Sequence, residues 1–157
     1  MRCHRFVSIV TLAALSAATP SHAGTDVSGI TTTQTWTIMG SPYRVIDDVI
    51  VPASDTLSIE PGVEIAIDAG TSLEVYGRLD ARGEPGDSIR INGGPVVLRG
   101  GVPSSMSHVV MSAGDGTILP GYGGGLLVEG SILRAEGCVI QGYARDGGRR
   151  STGPTLD

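Results

Sequence analysis

Lysine is absent from this chain of 157 residues, aromatic residues make up only 4% of it, and cysteine occurs twice. One of those cysteines, Cys3, lies in an N-terminal stretch with the layout of a secretory signal. Arg2, His4 and Arg5 precede an apolar run from Phe6 to Ala18, followed by small residues at Ser21-His22-Ala23. Cleavage after Ala23 leaves Cys138 as the one thiol of the mature chain. No internal disulfide can then form, although export delivers the chain to where disulfides persist. The thirteen-residue run is too short for a bilayer, which needs roughly 20 residues, and nothing later in the chain is as continuous. The expectation is a secreted, periplasmic or cell-surface protein with no membrane span.

The missing lysines also bound the partners. Arg2 and Arg5 leave with the signal, so nine arginines face sixteen carboxylates, a net charge of −7. That balance argues against binding nucleic acid or anionic lipid through a basic face. Its clustered cations, Arg145, Arg149 and Arg150, fall in a Gly-rich tail that reads as a solvated terminus.

No stretch of the mature chain keeps a helical period. After a Thr-rich lead-in, short apolar bursts alternate with polar residues between Gly, Pro, Asp and Ser, which is strand punctuation. The bursts include Val49-Ile50-Val51, Leu57-Ser58-Ile59, Val63 to Ile67, Leu73-Glu74-Val75, Leu79-Asp80-Ala81 and Ile89-Arg90-Ile91. They recur at an offset of 16 residues: Leu57, Leu73 and Ile89 fall in register, as do Ile59, Val75 and Ile91. Turn residues follow the same spacing, Asp68 with Glu84, Gly70 with Gly86 and Ser72 with Ser88. So short a period has no room for a helix in each repeat, so the chain must wind as a ribbon of strands. Successive turns would lie about 4.8 Å apart, and like residues would stack into inward ladders. Pro95 breaks the register, displacing Val96-Val97-Leu98 by one, and looser strands follow at His108 to Met111, Gly125 to Val128 and Gly137 to Gln141.

The runs Thr56-Leu57-Ser58-Ile59-Glu60-Pro61-Gly62-Val63 and Ser72-Leu73-Glu74-Val75-Tyr76-Gly77-Arg78-Leu79 resemble the opening coils of secreted bacterial parallel β-helix repeat proteins of the pectate-lyase-like type. The resemblance covers roughly Trp36 to Tyr143 and is strongest from Tyr43 to Asn92. It implies an all-β fold, a single-stranded right-handed parallel β-helix or solenoid, incomplete at its C-terminal end. The implied organisation is a signal peptide at 1–23, a lead-in at 24–35, the β-helix at 36–143 and a disordered tail at 144–157. Trp36 and Tyr43 would cover the N-terminal end of the stack. The family holds polysaccharide lyases and hydrolases as well as adhesins and other surface proteins, so the fold does not settle the chemistry.

At the 16-residue offset Glu64 lies over Asp80, Asp68 over Glu84, and Glu74 over Arg90. Stacked carboxylates could hold calcium or flank a glycosidic bond. The plainer reading of the first two pairs is an acidic rim softened by Arg78 and Arg82, and of the third a supporting ion pair. Asp47 and Asp48 point to opposite faces of any strand that holds them. His108, the single histidine of the mature chain, should face solvent beside Val110, and Cys138 should pack as a small hydrophobe. The Gly121 to Gly125 loop is followed by neither Lys nor a helix start, so it reads as a turn and not a phosphate cradle. No catalytic, metal-binding or cofactor-binding constellation stands out.

The leading expectation is therefore a non-enzymatic extracellular or cell-surface scaffold with weak glycan contacts and no cofactor. Its partners would be polysaccharide or another β-helix chain. The alternative is the N-terminal part of a polysaccharide lyase or glycoside hydrolase whose catalytic coils are missing. The abrupt Gly- and Arg-rich stretch after Tyr143, with no capping strand, points to a truncated reading frame or to assembly with another chain.

Overall fold

The computed structural model describes residues 24–113 and 125–142. The expected signal peptide, the 144–157 tail and residues 121–124 of the Gly-rich loop lie outside them. The described chain is all-β, with strands β1 (Thr25–Ile30), β2 (Gln34–Trp36), β3 (Tyr43–Val51), β4 (Thr56–Ile59), β5 (Glu64–Ile67), β6 (Leu73–Val75) and β7 (Arg78–Arg82) in its first half. Then come β8 (Ile89–Gly93), β9 (Val96–Leu98), β10 (Ser104–Ser107), β11 (Val109–Ser112), β12 (Leu126–Val128), β13 (Leu133–Glu136) and β14 (Val139–Gln141). A single 3-10 turn, Ile38–Gly40, interrupts them.

From β4 to β11 every strand pairs in parallel with the strand three places further along the chain. One series runs β4-β7-β10-β13, a second β5-β8-β11-β14 and a third β6-β9-β12. Parallel neighbours need a long crossover, and here two further strands supply it where other folds use a helix. β3 is long enough to serve two series, with Tyr43–Val45 beside β5 and Val49–Val51 beside β6. The series through β3 form one sheet and β2-β4-β7-β10-β13 the other.

These pairings correct the 16-residue register. Leu57 pairs with Leu79, Leu73 with Val49 and Val96, and Ile89 with Val109. From β3 onward the true return lies between 20 residues, from Ile91 to Met111, and 30, from Val96 to Leu126. The cause of the misreading is visible in the strands. Leu57, Ile65, Leu73, Ala81 and Ile89 stand eight apart, all at 0% exposure, one on each of β4 to β8. A strand with its corner thus occupies about eight residues, and a return takes three such units. A step of 16 covers two of the three, so it joins residues that share burial but not a ladder.

Burial alternates within the strands, eBeB in β5 and eBiBe in β7, because one side faces the common core and the other does not. The inward ladders run Leu57-Leu79, Tyr43-Ile65-Ile91-Met111 and Val49-Leu73-Val96, each residue at most 7% exposed. Fully burying a side chain of this kind contributes about 1.5–3 kcal/mol, so the ladders are the main source of stability. Hydrogen bonds tie consecutive corners together: Asp55 Oδ1 accepts from Thr33 N and Oγ1 at 2.8 and 2.9 Å, and Asp48 Oδ1 from Ser72 N and Oγ at 2.8 and 2.9 Å.

The stretch read as a lead-in, 24–35, is part of the sheets. β1 lies along β3 from Thr25 beside Tyr43 to Ile30 beside Ile50, and β2 along β4. Trp36 and Tyr43 stack at 4.7 Å and 10° beneath this layer, at 1% and 7% exposure. Pro95, where a longer turn or bulge is expected, sits at the corner between β8 and β9: its carbonyl accepts from Leu73 N at 3.0 Å, and β9 keeps its register with β6.

Leu79→Ala is expected to lower the unfolding free energy by about 2–5 kcal/mol in denaturant titrations, and Ile38→Ala, at a site 52% exposed, by under about 0.5 kcal/mol. Gly77→Ala should cost more than about 1 kcal/mol, because its Cβ would run into the carbonyls of Pro52 and Asp55.

Candidate functional site

The outward side of the β2-β4-β7-β10-β13 sheet is rich in hydroxyl and charged groups. Inward Leu57 and Ile59 of β4 alternate with outward Thr56 and Ser58. In β7 the outward residues are Arg78, Asp80 and Arg82, and in β10 Ser105 and Ser107. Register sets Asp80 between Ser58 and Ser105, and Arg82 beside Ser107.

Asp80 is the centre of this face. Its Oδ1 accepts from Ser105 Oγ at 2.8 Å and from Arg82 Nε at 2.9 Å, and its Oδ2 from Arg82 Nη2 at 2.6 Å. A guanidinium fork on a carboxylate fixes both groups in one plane. The Arg82 hydrogen bonds hold the Asp80 carboxyl below the usual carboxylate range, partial burial opposes this, and Ser105 and the charges of Arg82 and Arg78 add to the lowering. Arg82 is correspondingly raised by Asp80. Beside the pair, Ser58, Ile59, Glu60, Pro61, Asp80 and Arg82 line a shallow recess of about 360 Å³. It offers two carboxylates, Glu60 and Asp80, with a guanidinium, a hydroxyl and an apolar ridge at Ile59 and Pro61, the mixture that fits a polyhydroxylated ligand. The fork leaves Asp80 a bound anion and a poor proton shuttle.

The other acidic candidates lie elsewhere. Glu64, on β5, stands beside Arg90 of β8, with Nη1 to Oε1 at 3.0 Å, so it does not stack on Asp80. Asp68 takes a two-point contact from Arg44, at 3.0 and 2.9 Å, and raises the Arg44 pKa. Glu84 exchanges backbone hydrogen bonds with Asp87 at 3.2 and 3.0 Å. Glu74, expected over Arg90, instead accepts from Tyr76 Oη at 3.1 Å. Three of the four stacked-carboxylate candidates therefore already face an arginine. Among the described residues no three His, Cys, Asp or Glu side chains gather as metal ligands would.

Asp47 and Asp48 form an exposed corner inside β3, where Asp47 Oδ1 accepts from Asp48 N at 2.8 Å. His108 departs from the expectation that it faces solvent. It holds φ at 45° between β10 and β11, is half-buried with its Nδ1 covered and without a hydrogen bond, and lies against Gly137. Cys138 is half-buried against the core, its Sγ 3.5 Å from the Glu136 carbonyl. Sequence pattern alone does not join Arg82, Ser58 and Ser105 to Asp80. Their signal, one hydroxyl 22 positions before an acid and another 25 after it, appears only once the true return length is known.

Because its carboxyl is depressed in the folded state, Asp80 adds stability above the unfolded carboxylate pKa, about 3.9, and loses it as pH falls through the lower folded value. Asp55, lowered chiefly by the Thr33 hydroxyl, works with the same sign. Asp80→Asn should therefore lower the melting temperature at neutral pH and differ little from the parent near pH 2, as read by thermal scans across that range.

Comparison with protein-family models, curated proteins and solved structures finds no match for this chain.

Proposed function

We propose that the mature chain is an exported right-handed parallel β-helix of the pectate-lyase-like kind, serving as a non-enzymatic extracellular or cell-surface scaffold. The outward face around Asp80 makes its weak glycan contacts. The observation that carries the architectural part is the pairing rule: every strand from β4 to β11 lies parallel to the one three places on, with buried residues aligned in ladders. What supports a glycan ligand is the face itself. Its ordered carboxylate-guanidinium fork and neighbouring hydroxyls donate and accept hydrogen bonds at fixed positions, while Ile59 and Pro61 offer apolar surface to a sugar ring. What favours binding over turnover is that Arg82 and Ser105 occupy both Asp80 oxygens. The hydrogen-bonded array of Asp80, Arg82 and Ser105 is a rigid platform, which keeps the ordering cost of binding low.

The test is a panel of acidic and neutral polysaccharides in affinity electrophoresis, with parallel assays for new reducing ends and unsaturated products. Retardation by at least one polysaccharide without any new ends is expected, and Asp80→Ala should weaken that retardation about tenfold. Turnover abolished by the same substitution would make the chain an enzyme and overturn the reading. Export is checked by sequencing the N-terminus of the protein recovered outside the cytoplasm, which should begin at Gly24.

A further inference from the structure

Among the described residues, the last strands are the least buried. Ladder residues at 0–1% exposure give way to exposed ones in the next strand: Leu98 at 1% to Val128 at 40%, and Met111 at 0% to Ile140 at 50%. Among the described residues, β12, β13 and β14 each have a single neighbour, so each presents one edge that no described strand covers. Free parallel edges carrying apolar residues readily pair with another chain.

The polarity of the β13 edge is fixed by its bonds to β10. Ile132 O accepts from Ser104 N at 2.8 Å and Glu136 O from His108 N at 2.9 Å, which turns the even-numbered backbone groups toward β10. The groups of Leu133, Ala135 and Gly137 therefore face the free side. Outward side chains alternate with these, Arg134 and Glu136, both exposed and neither in an ion pair among the described residues.

We infer that this chain forms a two-fold dimer through the free edge of β13, antiparallel to β13 of a second copy and centred on Ala135. That centre makes Ala135 with Ala135, and Leu133 with Gly137, the hydrogen-bonded pairs, as the bond polarity requires. It sets Arg134 of each copy directly opposite Glu136 of the other, in the non-hydrogen-bonded pairs where side chains lie closest. Moving the axis by one residue sets Arg134 against Arg134 or Glu136 against Glu136. The charge order of β13 thus selects one register, and selects it against its own copy. The same rotation brings β12 of one copy toward β14 of the other, so Val128 and Ile140 are covered by apolar partners. An isologous contact of this kind closes at two chains, where pairing with the polar β1 end would propagate into fibres. The inference goes beyond the scaffold reading and stands without its glycan part.

The experiment is sedimentation of the mature chain, 24–157, over a concentration series, with Arg134→Glu, Glu136→Arg and the double exchange. The parent should be a dimer. Each single variant sets like charges opposite one another and should raise the dimer dissociation constant at least about tenfold, and the double exchange should restore it. Circular dichroism of each variant separates dimer loss from unfolding, and Ser112→Glu, away from β13, serves as the charge control. A parent that is monomeric at all concentrations, or an assembly that grows beyond two chains, overturns the inference. So does a dimer indifferent to both single variants, or one that the double exchange fails to restore. Amide exchange on a monomeric parent would show whether another segment of the same chain covers β13.

Discussion

Parallel pairing between a strand and the strand three places on is the constraint from which the rest of this structure follows. Once Leu57 must lie beside Leu79 and Ile65 beside Ile91, each strand has one side turned to the common core and one turned away. The inward side has to be apolar in every strand, because a polar group there would meet only Leu, Ile and Val. Ser104 is the telling exception: it replaces an aliphatic residue in the ladder below Leu79, and its Oγ accepts from Leu79 N at 3.0 Å, so its hydroxyl is buried with a partner.

The same pairing arranges the charges. Parallel neighbours in register set outward residues side by side at about 4.8 Å, so the sign of each outward residue matters to the ones above and below it. Glu64 meets Arg90, Asp68 meets Arg44, and Asp80 is held by Arg82 and Ser105. A chain without lysine does this with arginine alone. Arginine forks suit the task, since they bind a carboxylate in a fixed plane. The contribution of such exposed pairs to stability is small. Their larger effect is to define the outward face, because a carboxylate locked by a guanidinium presents an ordered, charged surface.

Much of this was legible in the sequence and one part was misleading. Strand identity followed from alternation at Leu73-Glu74-Val75 and Leu79-Asp80-Ala81, whose inward and outward residues fall as read. The early bursts kept one rhythm because each strand with its corner fills about eight residues. That rhythm hid the length of a full return: Leu57 and Leu73 share chemistry and burial without sharing a ladder. The outward pairings depend on the same length: a 16-residue offset sets Glu64 over Asp80 and Glu74 over Arg90, whereas the true return sets Glu64 beside Arg90 and Glu74 beside Val97. The role of β1 was hidden for a different reason. Its sequence, Thr-Asp-Val-Ser-Gly-Ile, is polar because it lies at the outside of the stack, exposed along most of its length, and periodicity carries no signal there.

The length of the return is therefore the claim to test. In a Cys138→Ser background, Thr56→Cys with Arg78→Cys places two thiols on directly paired residues of β4 and β7, while Glu74→Cys with Arg90→Cys places them 16 apart on strands that do not pair. Adjacent strands bring Cα atoms within the range a disulfide spans, roughly 4.4–6.8 Å. Mild oxidation followed by peptide mapping should give an intramolecular disulfide in the first variant and none in the second. A bridge between positions 74 and 90, with 56 and 78 left reduced, would contradict the account.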